Sequence, residues 1–140
     1  MCIRDSNNTC WYDDTYFSVV AETFAFDICP YTIVTEKTFK PIAFYHPFIL
    51  LAQPKTLAYL KLIGFETYSN LFNEEYDNIN DANIRLLKVV EQIKSFVKEP
   101  YDKLTKEKLD YNHNLFFDVK QVKQRIINEI IHPLITYVET

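Results

Sequence analysis

Short apolar runs alternate with segments whose apolar residues recur every three or four positions. Residues 16–23 are β-branched and aromatic and predict a strand, apolar on both faces as in a covered parallel sheet. Residues 24–31, with Cys29-Pro30 inside, predict a loop. Thr35 then suits a helix N-cap, and Glu36 falls in the first turn, where a carboxylate suits the helix dipole. That helix should run to about Tyr45, kinked or cut short by Pro41. His46-Pro47 leads into Phe48-Ile49-Leu50-Leu51, a buried-strand signal. Pro54 suits the start of a helix over residues 55–63, with Leu57, Leu60 and Ile63 as its stripe and Gly64 as its φ > 0 stop. Residues 65–68 predict another short strand. The order β, loop, α, β, α, β argues for an α/β fold with a parallel sheet.

Beyond it the pattern turns helical. Residues 70–81 are acidic and Asn-rich and predict a solvated loop. Asp81 should cap a helix over residues 82–98. Its inner face would be Leu86, Val90, Ile93 and Val97, widened by Leu87 and Val89, and Asp81 and Arg85 would form an i,i+4 pair. Pro100 ends it. A further helix is expected over residues 105–117, then a last long one marked by Val119, Val122, Ile126, Ile130 and Leu134 and interrupted near His132-Pro133. The organisation expected is an α/β unit over residues 7–98 with a helical extension, residues 99–140, packed on it.

Length and composition narrow the class. The chain has 140 residues, 48% apolar and 24% charged, which fits one soluble globular domain. A net charge of −4 argues against a nucleic-acid partner, and there is no apolar run of about 20 residues to span a membrane. The single glycine, Gly64, excludes glycine-rich phosphate loops, so an anion site must use a helix N-terminus and side chains. Lys outnumbers Arg 12 to 3, with 14 Ile and 10 Asn, which reads as an AT-rich genome. Residues 1–6, MCIRDS, resemble the translation of a sequencing adapter and are set apart as non-native. Cys10 and Cys29 match no zinc or CxxC spacing and read as buried thiols of a reducing, cytoplasmic protein. The sequon at Asn7 reads as chance.

The sharpest chemical feature is Thr35-Glu36-Lys37-Thr38-Phe39-Lys40. It opens a helix after a strand and a loop. Free N–H groups and the positive dipole end would face an anion, Lys37 and Lys40 add charge, and Glu36 can accept two hydroxyl hydrogen bonds. Together they suit a nucleoside diphosphate, with phosphates on the helix end and Lys37 and the sugar on Glu36. The alternative is a capped helix with solvated charges. His46 borders the expected cleft and could touch phosphate or sugar, or be anchored to a carbonyl at the strand entry. His113 and His132 read as structural. Asp13-Asp14 and Glu74-Glu75 with Asp77 read as solvated, and no metal site is expected.

Residues 17–23, 35–42 and 47–51 resemble the nucleotide-sugar-binding segment of α-1,3-fucosyltransferase-like glycosyltransferases. That family carries a strand ending in Glu-Asn, a T-E-K motif opening a helix, and a V-P-V strand. The resemblance covers residues 17–68. It implies a Rossmann-like parallel sheet, the C-terminal half of a two-domain GT-B fold, here followed by C-terminal helices. It assigns the ribose to Glu36 and the diphosphate to Lys37, and puts Glu22 at the sugar side of the cleft. It also implies a catalytic base in an N-terminal domain that this stretch does not include, a glycan or other hydroxyl acceptor, and no resident cofactor. Thr23 replaces the family's Asn, Phe44-Tyr45-His46 replaces a small pair before the second strand, and Ala52-Gln53 replaces the following glycine. These departures motivate a rival: a non-catalytic interaction module on the same scaffold.

Overall fold

A computed structural model describes residues 10–26, 30–128 and 137. It is a mixed α/β arrangement with one two-stranded parallel sheet. In chain order the elements are α1 (Cys10–Asp13), β1 (Ser18–Ala21), α2 (Glu36–Ala43), β2 (Phe48–Leu51), α3 (Thr56–Leu62), a 3-10 helix (Glu74–Asn78), α4 (Ala82–Ser95), α5 (Lys103–Phe116) and α6 (Val119–Ile126). The cysteine side chains, the sequon at Asn7, residues 1–6 and the expected helix positions Ile130, His132 and Leu134 lie outside the described residues.

The register pairs Ser18 with Phe48 and Ala21 with Leu51. All four residues of β2 are buried: β1 pairs with one edge, α4 packs against the strand, and Tyr76 of the 3-10 helix reaches the other edge. On that covered edge the Leu50 amide donates to the Tyr76 hydroxyl at 3.4 Å. β1 departs from the expectation of a strand covered on both faces: Val20 is buried but Val19 is 56% exposed, and no strand pairs with its outer edge among the described residues.

Pro41 lies inside α2 as expected, and the helix is held to eight residues. The Pro41 carbonyl accepts from the Phe44 and His46 amides at 3.1 and 3.0 Å, and Tyr45 turns left-handed at φ 52°. α3 begins differently from the expectation. Pro54 stays outside it, and Lys55 at φ 67° forms the N-terminal boundary. The capping group comes from elsewhere: the Asp77 carboxylate accepts the Leu57 and Ala58 amides at 3.0 and 3.1 Å. The acidic stretch is therefore not a solvated loop, since Tyr76 and Asp77 are both buried. Gly64 stops α3 at φ 99°, as read from the sequence.

The third expected strand, residues 65–68, takes no regular secondary structure and joins no ladder. Its pairing is supplied by one side chain of α5. The Asn112 amide accepts from the Glu66 N–H and donates to the Glu66 carbonyl, each at 2.8 Å, as a neighbouring strand would. Asn112 is itself buried, which makes those bonds costly to lose.

α4 is capped by Asp81, which accepts from the Asn83 and Ile84 amides at 2.9 Å. It ends at Ser95 rather than residue 98, because Phe96 turns to pack against Phe17 and Phe72. Its inward face is centred on Arg85 and Val89, which are buried; Leu86 and Ile93 pack against the core as expected, Leu87 is 62% exposed, and Val97 lies beyond the helix end. α5 packs on α2. The core comprises Val20, Ile42, β2, Leu57, Leu60, Phe65, Tyr68, Phe72, Tyr76, Val89 and Leu109. Each fully buried aliphatic there contributes about 1.5–3 kcal/mol relative to exposure.

Candidate functional site

β1 and β2 run parallel, so their carboxyl ends lie side by side. Glu22 follows β1 there, Gln53 follows β2, and the chain returns across them through residues 32–34 into α2. The Ile33 amide donates to the Gln53 side-chain oxygen at 3.3 Å. In open parallel sheets this is the edge where ligands bind.

Thr35 is the N-cap of α2, in extended conformation, with its hydroxyl oxygen facing the Lys37 amide at 3.4 Å. The Glu22 carboxylate sits against this helix start. It accepts the Thr35 amide at 3.0 Å, the Thr35 hydroxyl at 2.6 Å and the Thr38 hydroxyl at 2.6 Å. Glu22 is only 5% exposed. Burial alone would push its carboxyl up, but the hydrogen bonds from Thr35 and Thr38 outweigh it and hold the carboxyl below the ordinary value. The protein's own carboxylate therefore takes part of the anion seat that the sequence leaves open at this helix. The Glu36 amide keeps no partner among the described residues.

Glu36 and Lys40 are exposed on α2, and Lys37 is half-buried. The Lys37 ammonium donates to the Thr23 hydroxyl at 3.2 Å, which holds it over the carboxyl end of β1. Glu22, Thr35, Glu36 and Lys37 are thus gathered in one place. His46 is not with them. It precedes β2, at the opposite end of the strands, and is 3% exposed. Its Nε2 donates to the Thr15 carbonyl at 2.9 Å, and its Nδ1 accepts from the Ser18 hydroxyl at 2.8 Å. Burial lowers its pKa, partly opposed by the Thr15 carbonyl and the charge of Asp13. This is the carbonyl-anchored alternative for His46.

Beside the gathered residues opens a cavity of about 500 Å³. One wall is residues 32–34, which lead into Thr35, and the rest is mostly ring: Phe39 of α2, Tyr59 of α3, Phe65, and Phe116 of α5, with Gln121 of α6 at the edge. Phe39 and Phe116 stack with centroids 5.7 Å apart at 19°.

Two residues that shape this region were read otherwise from the sequence. Asp77 caps α3, as above. Arg85 is 2% exposed and not paired with Asp81. Its guanidinium donates to the Ile79 and Asn80 carbonyls at 2.6 and 3.2 Å and to the Ala25 carbonyl at 2.6 Å. It thereby fixes the turn that follows Glu22. Its position within the apolar period of α4 was the available signal. Among the described residues no three His, Cys, Asp or Glu side chains gather as metal ligands, and no helix is long and apolar enough to cross a membrane. No family model, curated protein or solved structure matches the chain.

Proposed function

We propose that this chain is the nucleotide-sugar-binding part of a glycosyltransferase of GT-B type. It would bind the nucleoside diphosphate of an activated sugar for transfer to an acceptor hydroxyl. One observation carries the reading: Glu36 and Lys37 stand at the start of the crossover helix between two parallel strands, beyond their carboxyl ends, with Lys37 steadied by Thr23. In this reading Lys37 and the Glu36 amide take the diphosphate, and the Glu36 carboxylate takes the ribose hydroxyls. Glu22 acts as a positioning residue, since its lone pairs are engaged by Thr35 and Thr38. A lysine and a helix end suit a leaving diphosphate because they stabilise the charge that develops on it. The rest of the transfer chemistry rests on the family resemblance.

A second reading, a non-catalytic interaction module, is favoured by the same Glu22 contacts, which fill part of the helix end without any ligand. A thermal-shift screen of nucleoside diphosphates at millimolar concentration separates the two. Stabilisation by at least one supports the donor site, and stabilisation by none favours the module.

A further inference from the structure

We propose that the ring-lined cavity next to α2 is the seat of the nucleobase, an inference that rests on the diphosphate reading of Lys37. Glu36 and Phe39 are three residues apart on one helix, which makes them neighbours on one face, with Cβ atoms about 5–6 Å apart. Phe39 lines the cavity, and Glu36 stands one turn nearer the strand ends. A ribose held by Glu36 therefore directs its base toward Phe39. Lys37 reaches to Thr23 at the end of β1, where the diphosphate would lie. The helix thus separates the three parts of a nucleotide in their chemical order.

The cavity suits a planar heteroaromatic ring. Its volume of about 500 Å³ lies within the usual range of small-molecule sites, about 300–1,000 Å³. Phe39 and Phe116 are packed against each other and against Phe65 and Phe117, too closely to admit a base among them, so the base would stack on Tyr59. Tyr59, 36% exposed, supplies a ring at the mouth. The Gln121 amide offers both a donor and an acceptor for the edge of a base. The strap of residues 32–34 adds backbone groups, with its Ile33 amide already tied to Gln53.

The test is calorimetry on the full chain with GDP, UDP, ADP and inorganic pyrophosphate, using the wild type, Tyr59→Ala and Gln121→Ala. The expected result is that at least one nucleoside diphosphate binds about tenfold or more tighter than pyrophosphate. Tyr59→Ala, or Gln121→Ala if the first variant melts early, should then reduce that affinity about tenfold and leave pyrophosphate unchanged, in line with the known strength of base–ring stacking. Pyrophosphate binding as tightly as every nucleotide, or nucleotide affinity untouched by both variants, overturns the base seat and leaves the Lys37 site standing. Binding of none of the four overturns both.

Discussion

Glu22 and Thr35 are joined twice, through the Thr35 amide at 3.0 Å and its hydroxyl at 2.6 Å. This pair ties the end of β1 to the start of α2. It also decides how much of the helix end stays open to a ligand. A carboxylate that accepts three hydrogen bonds while buried should be expensive to replace. Glu22→Gln keeps the shape but puts an amide NH2 where an acceptor is needed. We expect a loss of about 1–3 kcal/mol in urea unfolding at pH 7. Because the folded carboxyl titrates below its ordinary value of 4.5, its contribution is complete above that pH and is lost as pH falls through the folded value. The difference between wild type and variant should therefore shrink on acidification below about pH 4.5.

Asp77 does for α3 what Glu22 does for α2, from 20 residues downstream of Leu57. Burial pushes its carboxyl up, against the pull of the Leu57 and Ala58 amides. Asp77→Ala would leave both amides without their acceptor. The expected cost is about 2 kcal/mol, read as a lower urea midpoint with unchanged slope. A neutral outcome would mean that water caps α3 equally well.

Asn112 stands in for a missing strand beside Glu66. Asn112→Asp keeps an acceptor for the Glu66 amide but sets a carboxylate oxygen against the Glu66 carbonyl. It should destabilise by about 2 kcal/mol or more in thermal unfolding, although it changes only an NH2 to an oxygen.

His46 gives the fold a pH dependence through burial of its imidazole. Its folded pKa lies below the ordinary 6.5, so the unfolded chain takes up the proton first on acidification. Its contribution to stability is whole above about pH 6.5 and declines as pH falls below it. His46→Asn, which can still face Thr15 and Ser18, should show a flatter loss of melting temperature between pH 7 and pH 5 than the wild type. Parallel curves for the two proteins would contradict the buried neutral imidazole.

The sequence carried the alternation of elements because each rests on a local cause. Thr35, Asp81 and Gly64 end or begin helices through their own backbone conformation or side-chain oxygens, and Phe48-Ile49-Leu50-Leu51 has no polar face to expose. Gathering of Glu36 and Lys37 near β1 followed from the same βαβ order. What was hidden is non-local. Asp77 looks solvated in an acidic run until α3 is laid across it, and Arg85 looks like a surface partner of Asp81 until the turn at Ala25 arrives. The strand expected over residues 65–68 had the right composition, but its hydrogen bonds are satisfied by Asn112, 46 positions away. Likewise, Glu22 was legible as a strand-end carboxylate, but its engagement with Thr35 and Thr38 depends on tertiary approach.

The central claim is that Lys37 holds a diphosphate. Calorimetry of the full chain with a nucleoside diphosphate that stabilises it, comparing wild type with Lys37→Ala, tests this most directly. Lys37 contributes only an exposed hydrogen bond to Thr23, so the variant should keep the wild-type unfolding free energy to within about 0.5 kcal/mol, as is typical of surface changes. Affinity should fall at least about tenfold, as expected when a charged donor to phosphate is removed. Unchanged affinity in a folded Lys37→Ala protein would contradict the account.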